Sequence, residues 1–298
     1  MGRFPELPIT KEDYQHYKAA KSCLSSALQI EILYDALVTS YIEWESTMLS
    51  EAIRYTVYSN NSYIDSVYTQ TLMMRRLVTI LSLSRQYQDQ VKKHVKRIKD
   101  ASAKESVDTI FEKEELTSLE YQTIYYLRNV AQHANLTPDS FQTCQKAEEK
   151  NGARWIITTI DPYISKSKIT DSSDVKRPKD FKALIAKMPD KIPIKPYIRT
   201  YMECTSRIQD SIRKLITDEV SGSRRLMDEA TVKYASHNNG NTLGLSACRK
   251  APNGTLPDHV DLCLNWDDAR IAIQERNQTL NSLSKQYASG ENTLTAKK

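Results

Sequence analysis

From residue 24 to residue 53, apolar side chains return every three or four positions: Leu24, Ala27, Leu28, Leu33, Leu37, Tyr41, Trp44, Met48, Leu49, Ala52 and Ile53. That spacing keeps one face of an α-helix apolar. The helix is expected to start at "ITKED", where Thr10 caps and Asp13 sits three residues on, a variant of the capping box. "YSNNSYID" breaks the pattern, with Asn60 and Asn61 as turn residues and Ser62 followed by Asp65 as a second capping pair. A second helix is expected from about Tyr63 to Leu83, carrying Ile64, Val67, Tyr68, Leu72, Val78 and Leu81. Charge then dominates from Arg85 to Glu115, including "KKHVKRIK". "LTSLEYQTIYYLRNVAQHA" resumes the helical period with Leu116, Leu119, Ile124, Leu127 and Val130, and Pro138 closes it because proline disfavours helix in the residue before it.

The second half has a different texture. "ARWIITTI" has the apolar, β-branched density of a short strand, and "HVDLCLNW" is its only plausible companion by the same criterion. "SKSKITDSSDVKRPKD" between them reads as a polar linker. "KPYIRTYMECTSRIQDSIRKLITDEV" predicts a helix with Pro196 near its first turn, and "SGSRRLMDEATVKYASH" predicts another. "NNGNTLGLSACRKAPNGTLPDH" reads as loop, "WDDARIAIQERNQTLNSLSKQYA" as helix, and the chain from about Ser289 as a fraying tail. There is no internal repeat. The expected organisation is a helical bundle over residues 11–140, a mostly helical α+β region over 141–288 and a tail over 289–298.

Composition agrees with a mainly α fold, since only seven glycines and four phenylalanines argue against a turn-rich β architecture. No window approaches the ~18 uncharged apolar residues of a membrane-spanning helix, and no apolar leader precedes a cleavage site. The expectation is a soluble cytoplasmic protein with no membrane contact. Cys23, Cys144, Cys204, Cys248 and Cys263 are an odd set without a CxxC pair, which suits reduced thiols. A net charge of +5 is compatible with a polyanionic partner without demanding one.

One short stretch concentrates chemistry. "YYLRNVAQHANL" sets Arg128, Asn129 and His133 into an otherwise apolar helical segment. Asn129 and His133, four apart, share a face, while Arg128 sits about 140° round from His133. Two copies of such a helix meeting across a twofold axis would bring the arginine of one chain towards the histidine of the other. The residue types suit phosphodiester cleavage without a metal. Neutral imidazole takes a proton from a ribose 2′-hydroxyl. A guanidinium holds the phosphate and the added charge of its transition state, and the amide of Asn129 orients either group.

"RNVAQH" resembles the signature of the HEPN superfamily, an arginine and a polar residue followed within a few positions by a histidine, on a helix of an all-α bundle. The resemblance covers about residues 20 to 140. It implies a HEPN-like bundle acting as a metal-independent endoribonuclease, with no cofactor, through a homodimer with a shared cleft. Arg128 and His133 would be the catalytic pair and Asn129 their polar neighbour. It further implies a toxin or antiviral defence setting, with a regulatory or antitoxin protein as a possible partner. Family toxins paired with nucleotidyltransferases carry a modifiable tyrosine two positions after the histidine. Asn135 stands there in this chain, which speaks against that route.

Other signals are weaker. Lys92, Lys93, Lys96, Arg97 and Lys99 could steer RNA phosphates, although a charge run on a helix is more often a solvated face. His237, Cys248, His259 and Cys263 match no zinc spacing, so no metal site is expected. Two other readings remain open: a non-catalytic dimerisation or interaction module, and a nucleotide-sensing module.

Overall fold

The Thr10–Asp13 pair is where the first helix begins. Asp13 N donates to Thr10 Oγ1 at 3.0 Å, and Thr10 N donates back to Asp13 Oδ2 at 2.9 Å. The reciprocal bonds satisfy amides that a helix start leaves bare. A computed structural model describes residues 5–58, 62–100, 103–133, 140–150, 152–170, 181–249, 258–286 and 288. Four helices come first: α1 (Lys11–Val57), α2 (Tyr63–Ile98), α3 (Ala103–Thr117) and α4 (Leu119–His133). Ser62 and Asp65 exchange the same pair of bonds at the start of α2.

Next come β1 (Ser140–Lys150), β2 (Ala153–Ser165), the short helices α5 (Lys166–Thr170) and α6 (Phe181–Lys187), and β3 (Lys191–Pro193). They are followed by α7 (Ile194–His237), β4 (Ser246–Arg249), β5 (Asp258–Asp261) and α8 (Asn265–Arg276). The fold is mainly α with small antiparallel sheets.

Several expectations need correcting. α2 continues through "KKHVKRIK" to Ile98, because apolar residues three or four apart beneath the charges (Tyr87, Val91, Val95, Ile98) are buried. The two helices expected after Pro196 are one, with Gly222 inside it, since a lone glycine weakens a helix without ending it. "HVD" does not pair with "ARWIITTI". β2 pairs with β1, from Ser140↔Tyr163 to Lys150↔Ala153, and with β3 at Tyr163–Ser165, whereas β5 pairs with β4. Both actual partners lie closer in sequence, across shorter closures. The loop expected before "HVD" therefore contains a strand, and helix α8 ends at Arg276 rather than running on to residue 288. The expected tail from Ser289, the turn at Asn60 and Asn61, most of the linker and Pro138 lie outside the described residues.

The chain divides into two units interleaved in sequence. Residues 1–40, 82–113 and 209–278 form the first, and residues 41–81, 114–208 and 279–298 the second. In the first, Leu24, Ile30, Tyr34 and Leu37 of α1 belong to a core with Tyr87, Val91 and Val95 of α2, Phe111 of α3 and Ile212 of α7. Tyr87 stacks obliquely near Tyr34 and edge-on to Phe111, and its hydroxyl donates to Gln209 Oε1 at 2.8 Å. In the second unit, Trp44 and Met48 are buried, as are Met73, Leu77 and Ile80 of α2, Ile124 and Leu127 of α4, and Ile198 and Met202 of α7. Arg199 grips Glu45 through Nε and Nη2 at 2.8 and 2.6 Å, a two-point bond that holds α7 on α1.

Candidate functional site

Helix α4 belongs to the second unit and opens on Ser118, whose Oγ accepts from Tyr121 N at 3.1 Å. Its first turns are anchored by Tyr121, which stacks on Tyr201 of α7 with ring centroids 4.9 Å apart and 16° between planes. Thr123, Ile124, Tyr126 and Leu127 are also buried, so this face is committed to the core. The helix is unbroken through His133. The backbone thus places Arg128, Asn129 and His133 as helical geometry requires, with Asn129 and His133 one turn apart. The side chains of Asn129 and His133 lie outside the described part of the structure.

Arg128 sits where the sequence did not lead one to expect it. It was expected to hold a phosphate, and its exposure is only 1%. Its guanidinium carbon lies 4.1 Å from the centroid of the Tyr125 ring, a cation–π contact with the tyrosine three residues earlier on the same helix. In a low-dielectric setting a fixed positive charge acts more strongly than at the surface.

The basic segment is divided in its roles, and it belongs to the first unit rather than to the unit holding α4. Lys92 pairs with Asp108 of α3 at 2.5 Å and lies over the Phe111 ring. Lys99 pairs with Glu219 of α7 at 2.7 Å and donates to Leu215 O at 3.0 Å. These two fasten helices. Lys93, Lys96 and Arg97 are exposed on one side of α2 and remain a cationic stripe. His94 between them is buried, and burial, with Arg97 and Lys93 nearby, pushes its imidazole below its ordinary value of 6.5.

All five cysteines are free; Cys23 and Cys204 are buried, whereas Cys144, Cys248 and Cys263 are exposed. Burial pushes the Cys204 thiol up to about 11, which makes it a poor nucleophile. Cys248 faces His259 across β4 and β5. Among the described residues no cluster of three or more histidine, cysteine or acidic side chains could hold a metal ion. No described helix is long and apolar enough to cross a membrane.

Sequence reading missed a cleft of about 760 Å³ in the first unit, lined by α1, α7 and α8. Ala27, Ile216 and Val220 form buried parts of its lining. Its arginines are neutralised by carboxylates: Arg213 on Glu31 at 2.9 and 2.7 Å, Arg224 on Asp267 and Asp268 at 2.6 and 2.7 Å, and Arg270 on Asp267 at 2.6 and 2.9 Å. The contributing residues come from three distant stretches, so no local pattern announces it. No protein-family model, curated protein or solved structure matches this chain.

Proposed function

We propose that the chain is a metal-independent endoribonuclease of the HEPN type, cleaving RNA to leave a 2′,3′-cyclic phosphate and a free 5′-hydroxyl. The observation that carries this reading is the placement of Arg128, Asn129 and His133 on one helix, unbroken through His133, in a unit that is mostly helical and also carries the β1–β3 sheet. His133 takes the proton of the 2′-hydroxyl as the oxygen–phosphorus bond forms. The bond from phosphorus to the 5′-oxygen then breaks, and that oxygen is protonated by a second acid, such as the histidine of another copy, or by water. Asn129 orients the phosphate or the imidazole. With 1% exposure, Arg128 acts as a fixed buried charge in this arrangement, and direct contact with the phosphate requires the end of α4 to rearrange when RNA or a second copy binds. Lys93, Lys96 and Arg97 supply a cationic stripe for the RNA backbone. A cytoplasmic toxin or antiviral role, restrained by a regulatory protein, belongs to the same reading.

The burial of Arg128 favours a second reading, a non-catalytic interaction module in which that arginine only braces α4. Incubation of purified protein with mixed cellular RNA in EDTA, followed by end-group analysis, separates the two. The ribonuclease reading expects cyclic phosphate ends and a loss of about 10²–10⁴-fold in rate for His133→Ala with unchanged circular dichroism. Because Arg128→Ala risks misfolding, Arg128→Lys is the companion variant. Cleavage surviving His133→Ala, or no cleavage by folded, assembled wild type, sinks the ribonuclease reading in favour of the interaction module.

A further inference from the structure

The β1–β2 arm of the second unit ends in apolar side chains that are exposed among the described residues. Trp155 is 51% exposed, Ile156 61% and Ile157 40%. Successive strand residues point to opposite faces, so Ile156 is bare on one face of the arm and Trp155 and Ile157 on the other. Towards the body of the unit the same strand is buried at Ile160 and Ile164. The exposure is therefore confined to the outer part of the strand.

The edges of the arm differ. The outer part of β1 carries Lys146, Glu148 and Glu149, the charge by which exposed edges resist pairing. From Trp155 to Ile160 β2 carries no charge, no proline and no glycine. Among the described residues β2 meets a further strand only at Tyr163–Ser165. Pro162 interrupts that edge, and Lys195 Nζ donates to Ile160 O at 3.2 Å, closing its inner end. Among the described residues, what remains open is Ala153 to Thr159.

The register says which backbone groups face outward. Lys150 pairs with Ala153 across a two-residue connection, and in such a hairpin the flanking pair exchanges both hydrogen bonds. Alternation then turns Ala153, Trp155 and Ile157 towards β1 and leaves Arg154, Ile156 and Thr158 with amides and carbonyls directed off the edge. The bond from Lys195 to Ile160 O fits the same alternation.

We propose that this open edge is a self-association site, in which β2 of a second copy adds antiparallel about a twofold axis through Ile156. In this register Ile156 opposes its own copy, and Trp155 opposes Ile157 of the partner on the other face. Arg154 opposes Thr158. Each of the three bare apolar residues gains an apolar cross-strand neighbour, the outward backbone groups are paired, and no like charges meet. The assembly is a continuous sheet ordered β1–β2–β2–β1, with the charged β1 edges outermost. Registers shifted towards Thr159 set Ile156 or Trp155 against threonine or aspartate, and registers shifted towards Ala153 set Ile156 against Arg154 or Gly152, which is why the register centred on Ile156 fits best. The inference does not rest on the ribonuclease reading, and its test uses no RNA.

The test is the mass of the full chain in solution, by light scattering or sedimentation over a range of concentrations. Wild type is expected to dimerise, and Ile156→Lys and Ile156→Asp each to be monomeric with unchanged circular dichroism. Mixing these two variants should restore a dimer, because position 156 faces itself. Trp155→Lys combined with Ile157→Asp in one chain should likewise dimerise better than either single change. A monomeric wild type overturns the proposal, as does a dimer that survives Ile156→Lys. A dimer lost in both Ile156 variants but not regained on mixing overturns the twofold register.

Discussion

At the scale of single residues, burial decides which polar groups matter. Trp44 is fully buried, and Trp44→Ala should cost about 3–5 kcal/mol in urea unfolding, the usual result of opening a large core cavity. Asp267 is also fully buried. Burial works to raise its carboxyl, but the bonds from Arg270 and Arg224 outweigh that and hold it below its ordinary 3.8. The stability it contributes is therefore present above pH 3.8 and lost as pH falls through its lower folded value. Asp267→Ala would leave two guanidiniums without their shared acceptor, and a loss of about 3–5 kcal/mol at pH 7 is expected. His94 behaves in the opposite sense. Its imidazole is held below 6.5 in the fold, so below that pH the unfolded chain binds more protons and stability falls as the solution is acidified. His94→Gln should flatten that part of the stability profile between pH 7.5 and 5, and an unaltered slope would remove His94 as its source. Arg128 and His133 were both legible as a motif, but the burial of Arg128 was not, because an arginine three residues after a tyrosine looks the same whether the pair faces solvent or core.

At the scale of elements, the helical period was legible, and its phase was legible for most of α1 but not for the start of α2. Helix α1 begins and ends where caps and turn residues place it, yet Leu49 and Ile53, read as part of its buried face, are 43% and 56% exposed. Trp44, Met48 and Ala52, read into the same face, are buried as expected. Helix α2 differs in the same way: Ile64, Val67, Tyr68 and Val78 are exposed, whereas Met73, Leu77 and Ile80 are buried. Both helices carry apolar residues on more than one side, so the periodicity admits several inward faces, and Leu116 likewise is exposed. Met48→Ala should accordingly cost about 2–5 kcal/mol, and Ile53→Ser should stay within about 0.5 kcal/mol, in matched denaturation curves. Gly222 gives a gain in the same measurement. It sits inside α7, and a Cβ added there meets nothing within 4 Å. Gly222→Ala should stabilise by about 0.5–1 kcal/mol, and a destabilisation would contradict the continuous helix. The β1–β2 hairpin had an overlooked signal. "NG" at residues 151 and 152 is a strong two-residue turn sequence, and Gly152 has φ +74°, but β1 has too few apolar residues to read as a strand.

At the scale of the whole molecule, two units share the chain in alternating stretches, and each of α1, α2 and α7 contributes to both. Amide exchange should be slowest at Leu24–Leu37 and Val91–Val95 in the first unit and at Met73–Ile80 and Ile198–Ile208 in the second, where fully buried side chains recur. It should be fast along β1 from Gln145 to Glu149. The sequence by itself determined the mainly α class, the starts of α1 and α2 through their capping pairs, the helical run that carries Arg128 to His133, and the strand character of "ARWIITTI". Those properties depend on contacts between residues a few positions apart, whose types can be read directly. Only the tertiary structure decided which helix faces are buried, that β2 pairs with β1 and β3, that Arg128 is enclosed, and that three distant stretches line one cleft. Each of these depends on which distant segments come to lie together, and many residue patterns meet the same local rules while differing in that assembly.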